Sequence, residues 1–383
     1  MQAAPLANVP TLIYNRLDDN YHLSNKKALF LNISTYYLAM GINPFEVAIP
    51  LTFNVKSPHN SDSEYIKFTR AYNQFSKQKD ANIWIIKPGE NSNRGTGIEV
   101  ASSLNEIRQK IQQLSNSNGN RTSIVQKYLD KPLLIHGRKF DIRGYAMITS
   151  VNGVMKGYMY RDCYFRTSSK QFDLSNLHSR YIHLTNDAIQ INSEDYGKFE
   201  SGNKLSINDF QRYLDANHST KNVVFMRDLF PQMERLVTDS FRSVGSKIDP
   251  QRLNNTFEIF GYDFMIDENF KVFLIEANTN PSLEICSPLL ARIIPELLDN
   301  SFRIAIDPLY QPSQFLAKLK DDSSTVVDKV DTSRDANMIT SNLKERAVGA
   351  MAAAEGDYSL SPHRKLAAGA GTAGSKEATS RGR

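Results

Sequence analysis

Apolar residues along this chain follow two rhythms, and each change of rhythm marks an element. In "SSLNEIRQKIQQL", Leu104, Ile107, Ile111 and Leu114 recur every three or four positions, the spacing of one helix face. "SNKKALFLNISTYYLAM", "SINDFQRYLDA" and "MRDLFPQMERLVTDSFRSVGSKI" also read as helices, and residues 287–318 predict a closing helical segment. Short apolar or alternating runs predict strands in "ANIWIIKPGE", in "SIVQKYL", from about Arg138, and in "VMKGYMYRDCYFR" after an Asn152-Gly153 turn. "FEVAIPLTF" is a further short apolar segment, and no internal repeat is evident. "FGYDFMIDENFKVFLIEANTNPSLE", residues 260–284, reads as two strands joined by a tight turn. Beyond about residue 320 the chain turns polar, then small and basic, a composition that buries no core and predicts a disordered tail.

That hairpin poses a chemical question. Strand faces alternate, so Glu276 and Asn278 point the same way. A turn centred between Asn269 and Phe270 sets Asp263 opposite Glu276. Two carboxylates opposed across a ladder sit roughly 4.5–5.5 Å apart at Cβ and repel, so a positive charge is expected between them. Hard oxygen ligands suit Mg²⁺, which binds one or two carboxylates together with substrate phosphates. Pairing of both carboxylates with arginines is the competing reading.

Four other stretches carry polar side chains in suggestive positions. In "KPGENSNRGTGI", Lys87 ends a strand, and Gly89, Gly95 and Gly97 let backbone amides approach an anion. The glycine spacing fits neither a P-loop nor a dinucleotide fingerprint, so a plain surface loop is equally open. In "GRKFDIRGY", Lys139, Asp141 and Arg143 share one strand face, either a solvated row or a row beside an anionic ligand. Arg161 and Arg166 in "YRDCYFRTSS" add anion-binding capacity nearby. "IVQKYLDKP" offers backbone for a flat base, with Gln126 and Lys127 as polar partners and Leu129 as an apolar wall, or else an ordinary core edge. "HLTN" supplies Thr185 and Asn186 as hydrogen-bonders, while His183 reads as a structural histidine.

Composition narrows the classes. A chain of 383 residues allows two or three domains. Its net charge of +5 and pI of about 8.9 permit an acidic partner without singling out nucleic acid. Cys163 and Cys286 are the only cysteines, which excludes a disulfide framework and a zinc quartet and fits a reducing compartment. The first residues lack a basic end followed by an apolar core, and no membrane-spanning run is seen. No Ser/His/Asp triad or cysteine nucleophile stands out.

In this order along residues 20–300, "NIWIIKPGENSNRGTGI", "IVQKYLDKPLLIHGRKFDIRGY", "FRTSS", "HLTNDAIQ" and "FEIFGYDFMIDENFKVFLIEANTNPSL" resemble the tubulin–tyrosine ligase-like family of ATP-grasp enzymes. The resemblance implies an α+β, ATP-grasp fold with nucleotide between two α+β lobes. It divides the chain into a small N-terminal region at 1–80, a catalytic region at 81–318 and a disordered basic tail at 319–383. By the same resemblance Lys87 and Lys139 would bind ATP phosphates, and Gln126, Lys127, Tyr128 and Leu129 would form the adenine segment. Asp141, Thr185 and Asn186 would complete the nucleotide site, with Lys27 as the N-terminal lysine that reaches ATP. Arg143 and Arg166 would hold the reacting carboxylate, and Asp263, Glu276 and Asn278 match the magnesium ligands.

The implied activity is ATP- and Mg²⁺-dependent attachment of an amino acid to the acidic C-terminal tail of tubulin through an acyl phosphate. Cytoplasm and cytoskeleton, with cilium or basal body, are the expected locations, and neither nucleic acid nor membrane is an expected partner. "NSNRGTGI" resembles members that add glutamate or glycine, whereas "FRTSS" resembles the tyrosine ligase and makes tyrosine the first expectation. Two alternatives stand beside this: an inactive microtubule-binding relative, and the same chemistry on another acidic protein. The retained lysines and acids speak against the first.

Overall fold

The computed structural model describes residues 12–78, 81–90, 95–116, 122–252 and 254–310, and the backbone of residues 328–330. Strand β1 (Ile13–Tyr14) and helices α1 (Tyr21–Ser24), α2 (Lys26–Ala39) and α3 (Pro44–Val47) come first. A small lobe follows, made of β2 (Thr52–Val55), α4 (Ser63–Phe75), β3 (Trp84–Pro88), β4 (Glu99–Ala101), α5 (Leu104–Asn116) and β5 (Ser123–Lys127). Its sheet runs β2-β5-β3-β4, antiparallel throughout. Alternation divides its faces. Phe53, Val55, Trp84, Ile86 and Val125 pack under Phe68, Ile107, Ile111 and Leu114 of the two helices. Thr52, Ile85, Lys87, Gln126 and Tyr128 take the other side, toward the rest of the protein. The expected boundary at residue 80 therefore falls inside this lobe, because β2 completes the sheet by pairing with β5.

The chain then enters the large lobe through β6 (Leu134–Ile135), β7 (Arg138–Val151), β8 (Val154–Met159) and β9 (Tyr164–Thr167). Short helices α6 (Arg180–His183) and α7 (Asp187–Gln190), strand β10 (Lys204–Ser206), and helices α8 (Ile207–Asn217) and α9 (Phe230–Val244) come next. Strands β11 (Asn255–Ile266) and β12 (Val272–Thr279), helix α10 (Pro288–Ala305) and β13 (Asp328–Val330) complete the list. The turn into β8 has positive φ at both Asn152 and Gly153, the conformation that an Asn-Gly hairpin provides. β7 and β11 form the spine of a nine-stranded sheet, with β9 then β10 on one flank and β12 on the other.

One face of that spine is apolar. Ile142, Ala146, Ile148, Phe260, Tyr262 and Phe264 pack against Phe30 and Ile33 of α2 and Met233, Leu236 and Phe241 of α9. The other face carries Asp141, Arg143 and Asp263, and further along Tyr145, which packs with Leu290, Ile293 and Leu297 of α10. Cover on both sides explains why β7 is buried along nearly its whole length, so its charged row is not a solvated face. The expected tail at 319–383 lies outside the described residues except for β13, whose backbone pairs with β8.

Candidate active site between the lobes

Five neighbouring strands place charged side chains in succession on one face. Lys204 of β10 is registered with Arg166 of β9, Arg166 with Asp141 of β7, Arg143 of β7 with Asp263 of β11, and Asp263 with Glu276 of β12. The expected opposition of Asp263 and Glu276 is present, by a different route. Positive φ at Phe270 closes a three-residue loop centred on Asn269, not a two-residue turn. Without correction that ladder would set Asp263 against Ile275. The register slips by one residue between Asp263 and Phe264, leaving Ile275 unpaired, and this bulge returns Glu276 to the charged face.

Positive side chains occupy the position beside these acids. Arg143 Nε donates to Asp263 Oδ1 at 2.6 Å, and Arg166 Nη2 lies 2.8 Å from Asp263 Oδ2. Arg166 also makes a bidentate pair with Asp141 at 2.7 and 2.6 Å, and Thr185 Oγ1 donates to Asp141 Oδ2 at 2.7 Å. Burial by itself would raise the Asp263 carboxyl, but the two guanidiniums outweigh it and hold the group well below the usual carboxylate range. The ionised Asp263 is thus a competent hard-oxygen donor that two arginines already engage. Glu276, about one-quarter exposed, faces Lys26 Nζ at 3.3 Å and accepts from Asn278 Nδ2 at 3.1 Å.

Lys26 was missed in the sequence, although its spacing holds the signal. It is in phase with Leu29, Phe30, Ile33 and Tyr37, the buried stripe of α2, and Asn25 caps the helix through Ala28 N. Lys27 points elsewhere, 4.0 Å from Glu90 of the Gly-rich loop. Of that loop, Asn91–Arg94 lie outside the described residues. Its far end crosses to the large lobe: Arg180 donates to Gly95 O at 3.0 Å, and a Cβ on Gly95 would stand 2.6 Å from Ile189 Cδ1 and 3.1 Å from Asn186 Nδ2. Arg161 is exposed between β8 and β9, outside the buried row.

The two lysines expected at phosphates sit on facing lobes. Lys87 is buried, and its Nζ donates to Gln126 Oε1 at 2.8 Å. Lys139 is buried, donating to His183 O at 2.7 Å and to Tyr128 Oη at 3.2 Å. Neither ion-pairs with a carboxylate among the described residues. Burial lowers Lys87 to about 8 against the pull of Glu276, and lowers Lys139 to about 7 against Asp141.

The adenine segment differs from its expected layout. Gln126 and Lys127 lie on opposite strand faces, so the two cannot flank one base. Lys127 turns to the helix side, donating to Ala81 O at 2.9 Å above the Phe75 ring. The amides of Lys127 and Tyr128 are committed to Leu51 O and Ile83 O, leaving half-buried Leu129 as the next position along the chain.

Two buried lysines without carboxylate partners among the described residues offer the donors and charge that a polyphosphate would take up. Two carboxylates and an amide on one edge suit a cation that completes its shell with phosphate oxygens. Among the described residues no three His, Cys, Asp or Glu side chains cluster as a metal site. No described helix is long and apolar enough to cross a membrane.

Comparison with known proteins agrees with this geometry. The chain is 36% identical over 236 residues to Tubulin glycylase 3B of Drosophila melanogaster, covering 59% of this chain and 29% of that protein. It is 30% identical over 315 residues to Probable alpha-tubulin polyglutamylase Ttll1 of Tetrahymena thermophila, covering 77% of this chain and 72% of that protein. Protein monoglycylase TTLL8 of Mus musculus is 30% identical over 230 residues, 59% of this chain and 27% of its own length. The chain therefore spans less than a third of the glycylases it matches. The model of the tubulin-tyrosine ligase family matches residues 12–314, and with its two-lobed, ATP-grasp-like α+β fold the chain belongs to that family.

Proposed function

We propose that this chain is an ATP- and Mg²⁺-dependent ligase that joins an amino acid to the acidic tail of tubulin. The observation that carries the reading is the pair of buried lysines, Lys87 on the small lobe and Lys139 on the large lobe, neither in an ion pair with a carboxylate among the described residues. The lysines bind and orient the triphosphate of ATP. Asp263, Glu276 and Asn278 would hold Mg²⁺, which supplies charge to neutralise phosphoryl oxygens when bound. Arg143 and Arg166 orient the acceptor carboxylate, which attacks the terminal phosphorus to give an acyl phosphate and ADP. The amine of the incoming amino acid then displaces phosphate. Both steps develop charge on oxygen, so fixed cations carry the catalysis and no protein nucleophile is needed.

Glycine and glutamate come before tyrosine as amino acids to test, since relatives are named glycylase and polyglutamylase. The residues of "FRTSS" give tyrosine little support: Thr167, Ser168 and Ser169 are buried and spend their groups on Glu200, Lys170 O and Gln190. One relative is named a protein monoglycylase, a name that does not specify tubulin, which keeps a second acidic acceptor in view. The test incubates the purified full chain with tubulin, Mg-ATP and each labelled amino acid. Incorporation lost in Glu276→Gln supports the reading, and incorporation at the wild-type rate in that variant refutes the role given to the acid edge. Modification of other acidic proteins but not tubulin moves the acceptor to the second reading. Turnover in the cytoplasm at microtubules and cilia is the setting this activity implies.

A further inference from the structure

We infer that Gln126 and Tyr128 are positioning residues that set where the two phosphate lysines stand, one for each lobe. This rests on the nucleotide reading above. Both side chains project from the same face at the end of β5, the strand from which the chain leaves the small lobe. Gln126 serves Lys87 within the small lobe, and Tyr128 reaches Lys139 on β7 of the large lobe.

Donor and acceptor chemistry forces each link. An ammonium only donates, so the Gln126 amide must present its oxygen to Lys87. Its Nε2 then donates to Thr52 Oγ1 at 2.8 Å, and that hydroxyl donates to Pro50 O at 2.7 Å, ending the chain on backbone. At the second lysine, Tyr128 Oη accepts from Lys139 and donates to His183 Nδ1 at 2.8 Å. His183 Nε2 is then the protonated nitrogen and donates to Asn176 O at 2.9 Å. Gln126, Tyr128 and His183 are each at most 3% exposed, so rotation away from these partners would bury unpaired polar atoms. Burial also lowers His183, in keeping with a neutral ring.

Neutral oxygens at both lysines have a consequence. They hold each lysine in place without cancelling the charge it carries beside a bound phosphate. A carboxylate at either position would hold the lysine equally well and neutralise it.

The experiment measures Kd for ATP and for adenosine, with Mg²⁺ present, on the full chain and on Tyr128→Phe, Gln126→Met and Gln126→Glu. Each substitution nearly keeps side-chain shape, and a thermal melt confirms folding. Tyr128→Phe and Gln126→Met are expected to weaken ATP about tenfold, as loss of one hydrogen bond to a charged group does. Adenosine affinity stays within about twofold, since it carries no phosphate for the lysines. Gln126→Glu weakens ATP further, although it can still accept from Lys87. Equal losses for ATP and adenosine would make the segment a base contact and overturn the inference, as would unchanged ATP affinity in all three variants. A wild-type chain that binds no ATP overturns the nucleotide reading itself, a result distinct from either.

Discussion

Raising the pH should loosen the grip on nucleotide. In the free protein burial pulls Lys139 to about 7 and Lys87 to about 8, both below the ordinary lysine range. A bound triphosphate restores their charge, so binding takes up protons and affinity falls as pH rises above these values. Between pH 7.5 and 8.5 the terminal phosphate stays essentially fully ionised, so the protein's groups dominate. Over that interval the protonated fraction falls about eightfold for Lys139 and about threefold for Lys87, hence roughly 25-fold in affinity together. At pH 8 binding should take up about 1.4 protons. Titration calorimetry with a non-hydrolysable Mg-ATP analogue, in buffers of different ionisation heat, reads both quantities. Lys139→Arg keeps its charge throughout and should leave only the threefold slope of Lys87. A Kd constant within about twofold across the interval, with no proton uptake, would refute the argument.

Other perturbations test separate parts of the site. Arg166→Met leaves Asp141 and one oxygen of Asp263 without a guanidinium, and should cost about 3–5 kcal/mol in urea unfolding; a loss under about 1 kcal/mol would mean the buried row is not held by these pairs. Lys26→Met should slow ligation about tenfold or more, with Lys27→Met within about twofold, because only Lys26 faces Glu276; the reverse order would restore Lys27. Gly261→Ala puts a methyl 2.9 Å from Pro281 Cβ and 3.4 Å from Arg143 Nη1, and should cost about 1–3 kcal/mol while lowering activity. A neutral Gly261→Ala in denaturation and turnover would show that this close approach is dispensable.

Much of the architecture is local and was therefore legible. The helical spacing of Leu104, Ile107, Ile111 and Leu114 corresponds to α5, whose last three such residues are buried. Asn152-Gly153 makes the β7–β8 turn because both residues accept positive φ. Alternation alone put Lys139, Asp141 and Arg143 on one face, and Glu276 beside Asn278. Less legible was the small lobe, since the pairing of β2 with β5 joins segments about 70 residues apart and no local pattern announces it.

By itself the sequence determined the period of each element, the residues sharing each face, and the supply of buried acids and bases. Tertiary structure decided what those faces meet. A helix on each side of the sheet turned the charged row inward, where charges must pair, and so brought Arg143 and Arg166 onto Asp263. The bulge at Ile275, invisible to a period-two count, kept Glu276 on the reacting face. Packing of α2 on the large lobe chose Lys26 over Lys27, pairing of β3 with β5 set Gln126 behind Lys87, and the meeting of the lobes set Tyr128 behind Lys139. Such contacts join residues that only the packed fold makes neighbours.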